Sequence, residues 1–161
     1  MGDTTQVVTG TIAAPPEAVF AVLADPTRHT EIDGAGMLRG SPEGAKTITA
    51  VGDTFVMQMN QEGLDDYVMV NTVIAFEPGR RIAWEPGIRE VSPQVAEMFK
   101  GWDFSGYHYA WDLESTAEGG TAVTHTYDWT GVTDEKALTV FPRVSAEQMS
   151  DTIARLAKAL A

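Results

Sequence analysis

The chain has 161 residues, with 43% hydrophobic and 21% charged residues, which is typical of a globular protein with one buried core. The formal net charge of −12 argues against nucleic acid and anionic membrane surfaces as partners. The absence of cysteine excludes disulfides and thiolate sites. We therefore expect one cytoplasmic domain over residues 1–161, without a signal peptide or membrane insertion.

The first part of the chain predicts one strand and two short helices. β-Branched residues favour a strand over Gln6–Ala13. A preceding proline and an initial acid favour a helix over Glu17–Ala24. A second short helix is predicted through Arg28–Ile32, and the four glycines of Asp33–Ala45 predict a loop.

The middle of the chain predicts strands separated by turns. These strands are Lys46–Ala50, Thr54–Asn60, Tyr67–Phe76 and Arg81–Glu85. Pro86 and Gly87 are expected to end the last of them. Ser92 and Pro93 then form a typical helix start, and a short helix is predicted up to Gly101.

Two alternating runs around Gly119 and Gly120 predict a β-hairpin. The pairing that matches their faces places Trp111 near His125 and Tyr109 near Tyr127. One face carries Tyr107, Tyr109, Trp111, His125, Tyr127 and Trp129, and the opposite face carries His108, Asp112 and Asp128. Buried O–H and N–H groups need partners, so this aromatic face indicates a pocket wall, with a closely packed core as the alternative.

The last helix is predicted over Ser145–Leu160. Its start is a capping box, and Met149, Ile153 and Leu156 form an apolar stripe along it. The chain order is one strand, two short helices, about six antiparallel strands and this long helix. An α+β fold follows, in which the helix covers one face of a single sheet.

This pattern resembles the helix-grip fold of the START/Bet v 1-like (SRPBCC) superfamily, in its bacterial polyketide cyclase/dehydrase-like branch. The resemblance is strongest over Thr11–His29 and extends through Val51–Phe55, Phe76–Trp84 and the C-terminal helix. It implies a curved antiparallel sheet wrapped around a long C-terminal helix, with an apolar cavity between them. Two departures are Ile32, where the family often has Trp, and the long Ile88–Phe104 segment, which is expected at the rim of the cavity.

The resemblance implies binding of a small hydrophobic ligand, because members of the family bind lipids, sterols, polyketides or hormones. We expect an aromatic or polyketide-like molecule and no nucleic acid. The candidate ligand-binding residues are Tyr107, Tyr109, Trp111, His125, Tyr127, Trp129, Phe55, Met57, Trp84, Met149 and Ile153.

Two alternatives stay open. The first is a cyclase/dehydratase-type enzyme that uses His125 with Tyr109 or Tyr127 for enolisation or loss of water. The second is a protein-binding regulator without a small ligand. No metal or cofactor is expected, because His108 and His125 fall on opposite faces and no nucleotide-binding motif occurs. The expected assembly is a monomer or a homodimer.

Overall fold

The structure is a computed structural model that describes residues 3–41 and 45–161. Its strands are β1 (Thr5–Ile12), β2 (Leu38–Gly40), β3 (Thr54–Gln61), β4 (Asp65–Glu77), β5 (Arg81–Glu90), β6 (His108–Ser115) and β7 (Thr121–Asp128). Its helices are α1 (Pro16–Leu23), α2 (His29–Ile32), α3 (Pro93–Met98), α4 (Glu135–Leu138) and α5 (Ala146–Ala159). A short 3-10 turn over Pro26–Arg28 leads into α2.

The seven strands form one antiparallel sheet in the order β1-β7-β6-β5-β4-β3-β2. The first strand pairs with the last, so that Val8 lies opposite His125. Helix α5 packs mainly on β1 and also contacts β7. This close approach needs Gly10 on β1, since a Cβ there would lie 2.7 Å from Cγ2 of Ile153. The arrangement confirms the predicted helix-grip fold.

Helix α5 forms as its sequence predicts. The Ser145 hydroxyl accepts the backbone N–H of Gln148 at 3.1 Å, and the Gln148 side chain accepts the backbone N–H of Ser145 at 2.9 Å. These two bonds satisfy backbone donors that the first turn leaves without helical partners. Met149, Ile153 and Leu156 are all buried, which confirms the predicted apolar stripe.

The β6–β7 hairpin has the predicted register. Trp111 lies opposite His125, and Tyr109 lies opposite Tyr127. A register shifted by one residue would bury Asp112, which instead pairs with Arg81 at 2.7 Å on the other face of the sheet. The predicted aromatic face is therefore the interior face.

Strand β5 runs past the predicted stop at Pro86 and Gly87 and ends at Glu90. Strand β6 pairs with β5 only from Arg81 to Trp84, so the later part of β5 has β4 as its single described partner. The later part of β5 is therefore an edge of the sheet. A proline is tolerated at an edge, because its missing N–H is not needed for hydrogen bonds to a neighbouring strand. The predicted end of the strand was therefore wrong.

Two further predictions differ from the structure. Lys46–Ala50 does not form a strand, because the Asp53 carboxylate accepts the N–H groups of Thr49 and Ala50 and draws the chain into a turn. The predicted loop Asp33–Ala45 contains β2, which pairs with β3, whereas residues 42–44 of that loop lie outside the described residues.

Candidate ligand-binding cavity

A cavity of about 380 Å³ lies against the concave face of the sheet. Strands β3 to β7 form one side of its wall, and α2, α3, α5 and the loops between these elements also contribute lining residues. The candidate residues that line it are Phe55, Met57, Trp84, Tyr107, Tyr109, Trp111, His125, Tyr127 and Met149. Most of the residues selected from the sequence thus lie on the surface of one cavity. That these residues contact a ligand stays a prediction.

Trp129 and Ile153 are buried but do not belong to the cavity lining. Trp129 follows the end of β7 and packs against Tyr127 and Phe141, with ring centroids 5.0 and 6.4 Å away. Ile153 packs against Gly10 on the opposite side of the core. Face periodicity predicts burial for both residues, but it does not distinguish packed core from cavity wall.

The hairpin side chains form a stacked row along the cavity wall. The rings of Trp111 and His125 lie 3.7 Å apart with an interplanar angle of 13°. The Tyr109 ring lies 6.0 Å from the His125 ring and stacks on Tyr127 at 4.5 Å. Alternation on two paired strands produces this row, since every second residue of each strand points into the same interior.

His125 is held as a neutral ring in this row. Its Nδ1 lies 3.1 Å from the Ala110 carbonyl oxygen, and because a carbonyl only accepts, Nδ1 carries the proton. Burial lowers the pKa of His125 to about 4, against the smaller opposing effect of the Ala110 hydrogen bond. With the proton on Nδ1, Nε2 is a hydrogen-bond acceptor.

The tyrosines of the wall stay protonated. Burial raises the pKa of Tyr107, Tyr109 and Tyr127 above the ordinary value for a phenol. The Tyr127 hydroxyl accepts the backbone N–H of Arg143 at 3.2 Å, which holds this ring at the start of the last helix. These phenols can donate or accept hydrogen bonds, but they do not supply a charged base.

His29 is a cavity residue that sequence reasoning did not identify. It is buried at the start of α2, its Nε2 lies 2.8 Å from the Leu23 carbonyl oxygen, and its ring stacks on Trp84 at 5.3 Å. Burial lowers its pKa as well. No periodic pattern could have selected it, because a four-residue helix presents no repeated face.

Polar side chains gather at one part of the lining. The Arg143 guanidinium donates to the Gln61 side-chain oxygen at 2.8 Å, and the Tyr67 hydroxyl donates to the same oxygen at 3.4 Å. The Asp33 carboxylate accepts the backbone N–H groups of Ala35 and Leu38 at 3.0 and 2.7 Å. The lining therefore combines a large apolar surface with a small polar region.

The Ile88–Phe104 segment, one of the two departures from the family pattern, contributes to the lining. Three aromatic rings after α3 contact one another: the Phe99 centroid lies 4.9 Å from Trp102 and 5.4 Å from Phe104. All three rings line the cavity. The short α3 positions them, because Ser92 caps it through the N–H of Val95 at 3.2 Å.

Residues 3–41 and 45–161 contain neither a membrane-spanning helix nor a metal-binding cluster of side chains. Within those ranges no helix is both long and apolar enough to cross a membrane. The His, Asp and Glu side chains of the same ranges form no group of three that could hold a metal ion.

Comparison with solved structures finds the same fold. Protein Ms6760 from Mycobacterium smegmatis matches with a TM-score of 0.67 and 16% identity, over 98% of this chain and 91% of that one. DynU16, a protein encoded in the dynemicin biosynthetic locus, matches with a TM-score of 0.61 and 18% identity, over 99% of this chain and 48% of that one. Identities this low establish shared architecture only.

Comparison with curated proteins finds uncharacterized protein Rv0088 of Mycobacterium tuberculosis, which is 28% identical over 151 residues. The match covers 90% of this chain and 59% of the relative, so the chain spans less than two thirds of that protein. One family profile, described as polyketide cyclase / dehydrase and lipid transport, matches residues 3–161. Because this match extends over nearly the whole chain, the protein belongs to that polyketide cyclase/dehydrase and lipid transport family.

Proposed function

We propose that the protein binds a small hydrophobic molecule, aromatic or polyketide-like, in the cavity between the sheet and α5. The observation that carries this proposal is the cavity of about 380 Å³ with a wall of stacked aromatic rings. Ligand sites are typically concave and apolar, with a few polar groups that orient the ligand. The family and the fold indicate hydrophobic ligand binding in general; the aromatic class and this location are our proposal.

The proposal is tested with the neutral fluorescent probe N-phenyl-1-naphthylamine. Binding should raise the fluorescence of the probe, raise the melting temperature and quench tryptophan emission, because Trp84, Trp102 and Trp111 line the cavity. Lack of all three effects would refute binding. Native mass spectrometry of the freshly purified protein adds a second readout, since a co-purified small molecule argues against a purely protein-binding regulator.

A cavity-filling variant locates the site. Met69 lines the cavity, whereas Ile74 on the same strand is 42% exposed on the other face of the sheet. Met69→Trp should weaken probe binding by filling the space that the probe occupies. Ile74→Trp adds a tryptophan to the same strand outside the cavity and should leave binding unchanged. Equal probe affinity in the two variants would place the site elsewhere.

A cyclase/dehydratase-type enzyme is the second candidate, and the position of His125 favours it. Its Nε2 is an unprotonated base within a cavity that also contains the phenols of Tyr109 and Tyr127. Against this, a pKa of about 4 makes His125 a weaker base at neutral pH than the values near 7 that suit general bases. Binding is therefore our first proposal.

Turnover distinguishes the two candidates. An enzyme should dehydrate an aromatic β-hydroxy ketone, and His125→Ala should abolish this activity. His108→Ala is the matched control, since His108 lies on the same hairpin but outside the cavity lining. Probe binding without turnover supports a binding protein, whereas turnover lost only in His125→Ala supports the enzyme.

A further inference from the structure

Both buried histidines of the cavity wall donate one ring N–H to a backbone carbonyl. His125 uses Nδ1 toward Ala110 at 3.1 Å, and His29 uses Nε2 toward Leu23 at 2.8 Å. A carbonyl oxygen has no proton to give, so the ring nitrogen in each pair must be the protonated one. Two residues from distant parts of the chain therefore have a defined tautomer.

The second nitrogen of each ring is unprotonated. A second proton would place a positive charge on a ring that is about 5% exposed in His29 and 6% exposed in His125. Burial disfavours that charge and lowers the pKa of both residues, although the Leu23 hydrogen bond and, to a smaller extent, Asp25 oppose the effect at His29. Nε2 of His125 and Nδ1 of His29 can thus only accept a hydrogen bond.

Neither nitrogen has a protein donor within the described ranges. The rings of Trp111 and Tyr109 lie nearly parallel to the His125 ring, but an imidazole lone pair lies in the plane of its own ring, where stacked neighbours cannot reach it. No fully enclosed side-chain nitrogen or oxygen among the described residues lacks a partner. Both nitrogens must therefore contact open space, and both residues line the cavity.

We propose that the molecule bound in this cavity is hydroxylated and donates its O–H groups to Nε2 of His125 and Nδ1 of His29. This inference rests on the proposed function, because it specifies the class of ligand for the same cavity. A phenolic or alcoholic hydroxyl supplies the proton that these acceptors lack. A ketone, an ether or a plain hydrocarbon leaves them unpaired, which is costly in an apolar wall.

The hydroxyl preference is measured with three matched probes: naphthalene, 2-naphthol and 2-methoxynaphthalene. The naphthol should bind about 3- to 10-fold more tightly than the methoxy compound, which is the range for one neutral hydrogen bond. This difference in affinity between 2-naphthol and 2-methoxynaphthalene should decrease in His125→Phe and in His29→Phe, and it should vanish in the double variant. His108→Phe, outside the cavity lining, should retain it.

A second measurement does not depend on how well the variants fold. In ¹⁵N NMR spectra of the unmodified protein at pH 7.5, His29 and His125 should each show one protonated and one bare ring nitrogen. 2-Naphthol should shift the bare signals toward the hydrogen-bonded range, whereas 2-methoxynaphthalene should not. Protonated Nε2 in His125 or protonated Nδ1 in His29 would overturn the inference.

The outcomes separate this inference from the proposed function. If none of the three probes binds, both proposals fail. If all three bind with equal affinity, the cavity binds hydrophobic molecules but the hydroxyl preference is wrong. If the preference survives in the double histidine variant and disappears in Tyr127→Phe, a phenol rather than the imidazoles recognises the hydroxyl, and the inference is likewise overturned.

Discussion

The two halves of the sheet bury similar apolar side chains with different results. Over β1, α5 comes close enough to need Gly10, and Leu156 is fully buried outside the cavity lining. Over β3 to β5, the facing elements include the short α2 and α3, and the cavity remains. Apolar character thus drives burial in both halves, whereas the approach of the covering backbone decides between packed core and cavity.

The largest expected effect comes from removing the covering helix. A chain that ends at Ser145 loses the buried stripe of Met149, Ile153 and Leu156 and exposes the sheet face beneath it. Large exposed apolar patches lead to association, so this truncated chain should aggregate. Size-exclusion chromatography and chemical unfolding provide the measurement. A soluble, monomeric truncated chain with a cooperative transition would contradict the account.

The next effect separates the two halves directly. Leu156→Ala should reduce the free energy of unfolding by about 2–5 kcal/mol, because the side chain is enclosed by packed neighbours. Met69→Ala should cost less, because Met69 already borders empty space. Urea unfolding with and without N-phenyl-1-naphthylamine measures both. If the two variants lose the same unfolding free energy, or if the loss in Leu156→Ala depends on the probe, Leu156 and Met69 do not differ as packed core and cavity wall.

Acid should destabilise the fold through His125 of the cavity wall. Its folded pKa of about 4 lies below the ordinary value of 6.5, so the unfolded chain binds the extra proton first as pH falls. Stability is therefore full above pH 6.5 and decreases toward pH 4, with a loss of about 2 kcal/mol at pH 5. The lowered pKa of His29 adds in the same direction.

Urea unfolding at pH 7.5 and pH 5 measures this loss. His125→Phe should reduce the pH dependence, because it removes the ring that the unfolded chain protonates first. If the unfolding free energy of the unmodified protein is the same at both pH values, His125 is not a buried neutral ring in the folded protein.

The smallest expected effect lies on the outer face of the sheet. Ile74 is 42% exposed, whereas its neighbour Val73 is 1% exposed on the interior face. Ile74→Ala should change the unfolding free energy by no more than about 0.5 kcal/mol, the usual range for surface sites. Val73→Ala should cost clearly more. Thermal unfolding of the pair shows whether the two faces differ as their exposure indicates.

The order of most elements, the register of the β6–β7 hairpin and the start of α5 could be predicted from the sequence. These features follow from local chemistry. Strict alternation leaves one register that keeps Asp112 out of the interior, and Ser145 with Gln148 forms a complete cap. The candidate side chains on the hairpin face were accordingly predicted on the interior face.

Which interior residues face the cavity could not be predicted from the sequence, because it depends on the tertiary structure. Trp129 and Met57 are both buried, but Trp129 packs against Phe141, whereas Met57 borders the cavity. The extension of β5 past Pro86 depended on the absence of a β6 partner there, and the role of His29 depended on Leu23 and Trp84. The physical reason is that periodicity fixes which face of a strand is buried, whereas the distance to the opposing backbone arises from contacts between distant parts of the chain.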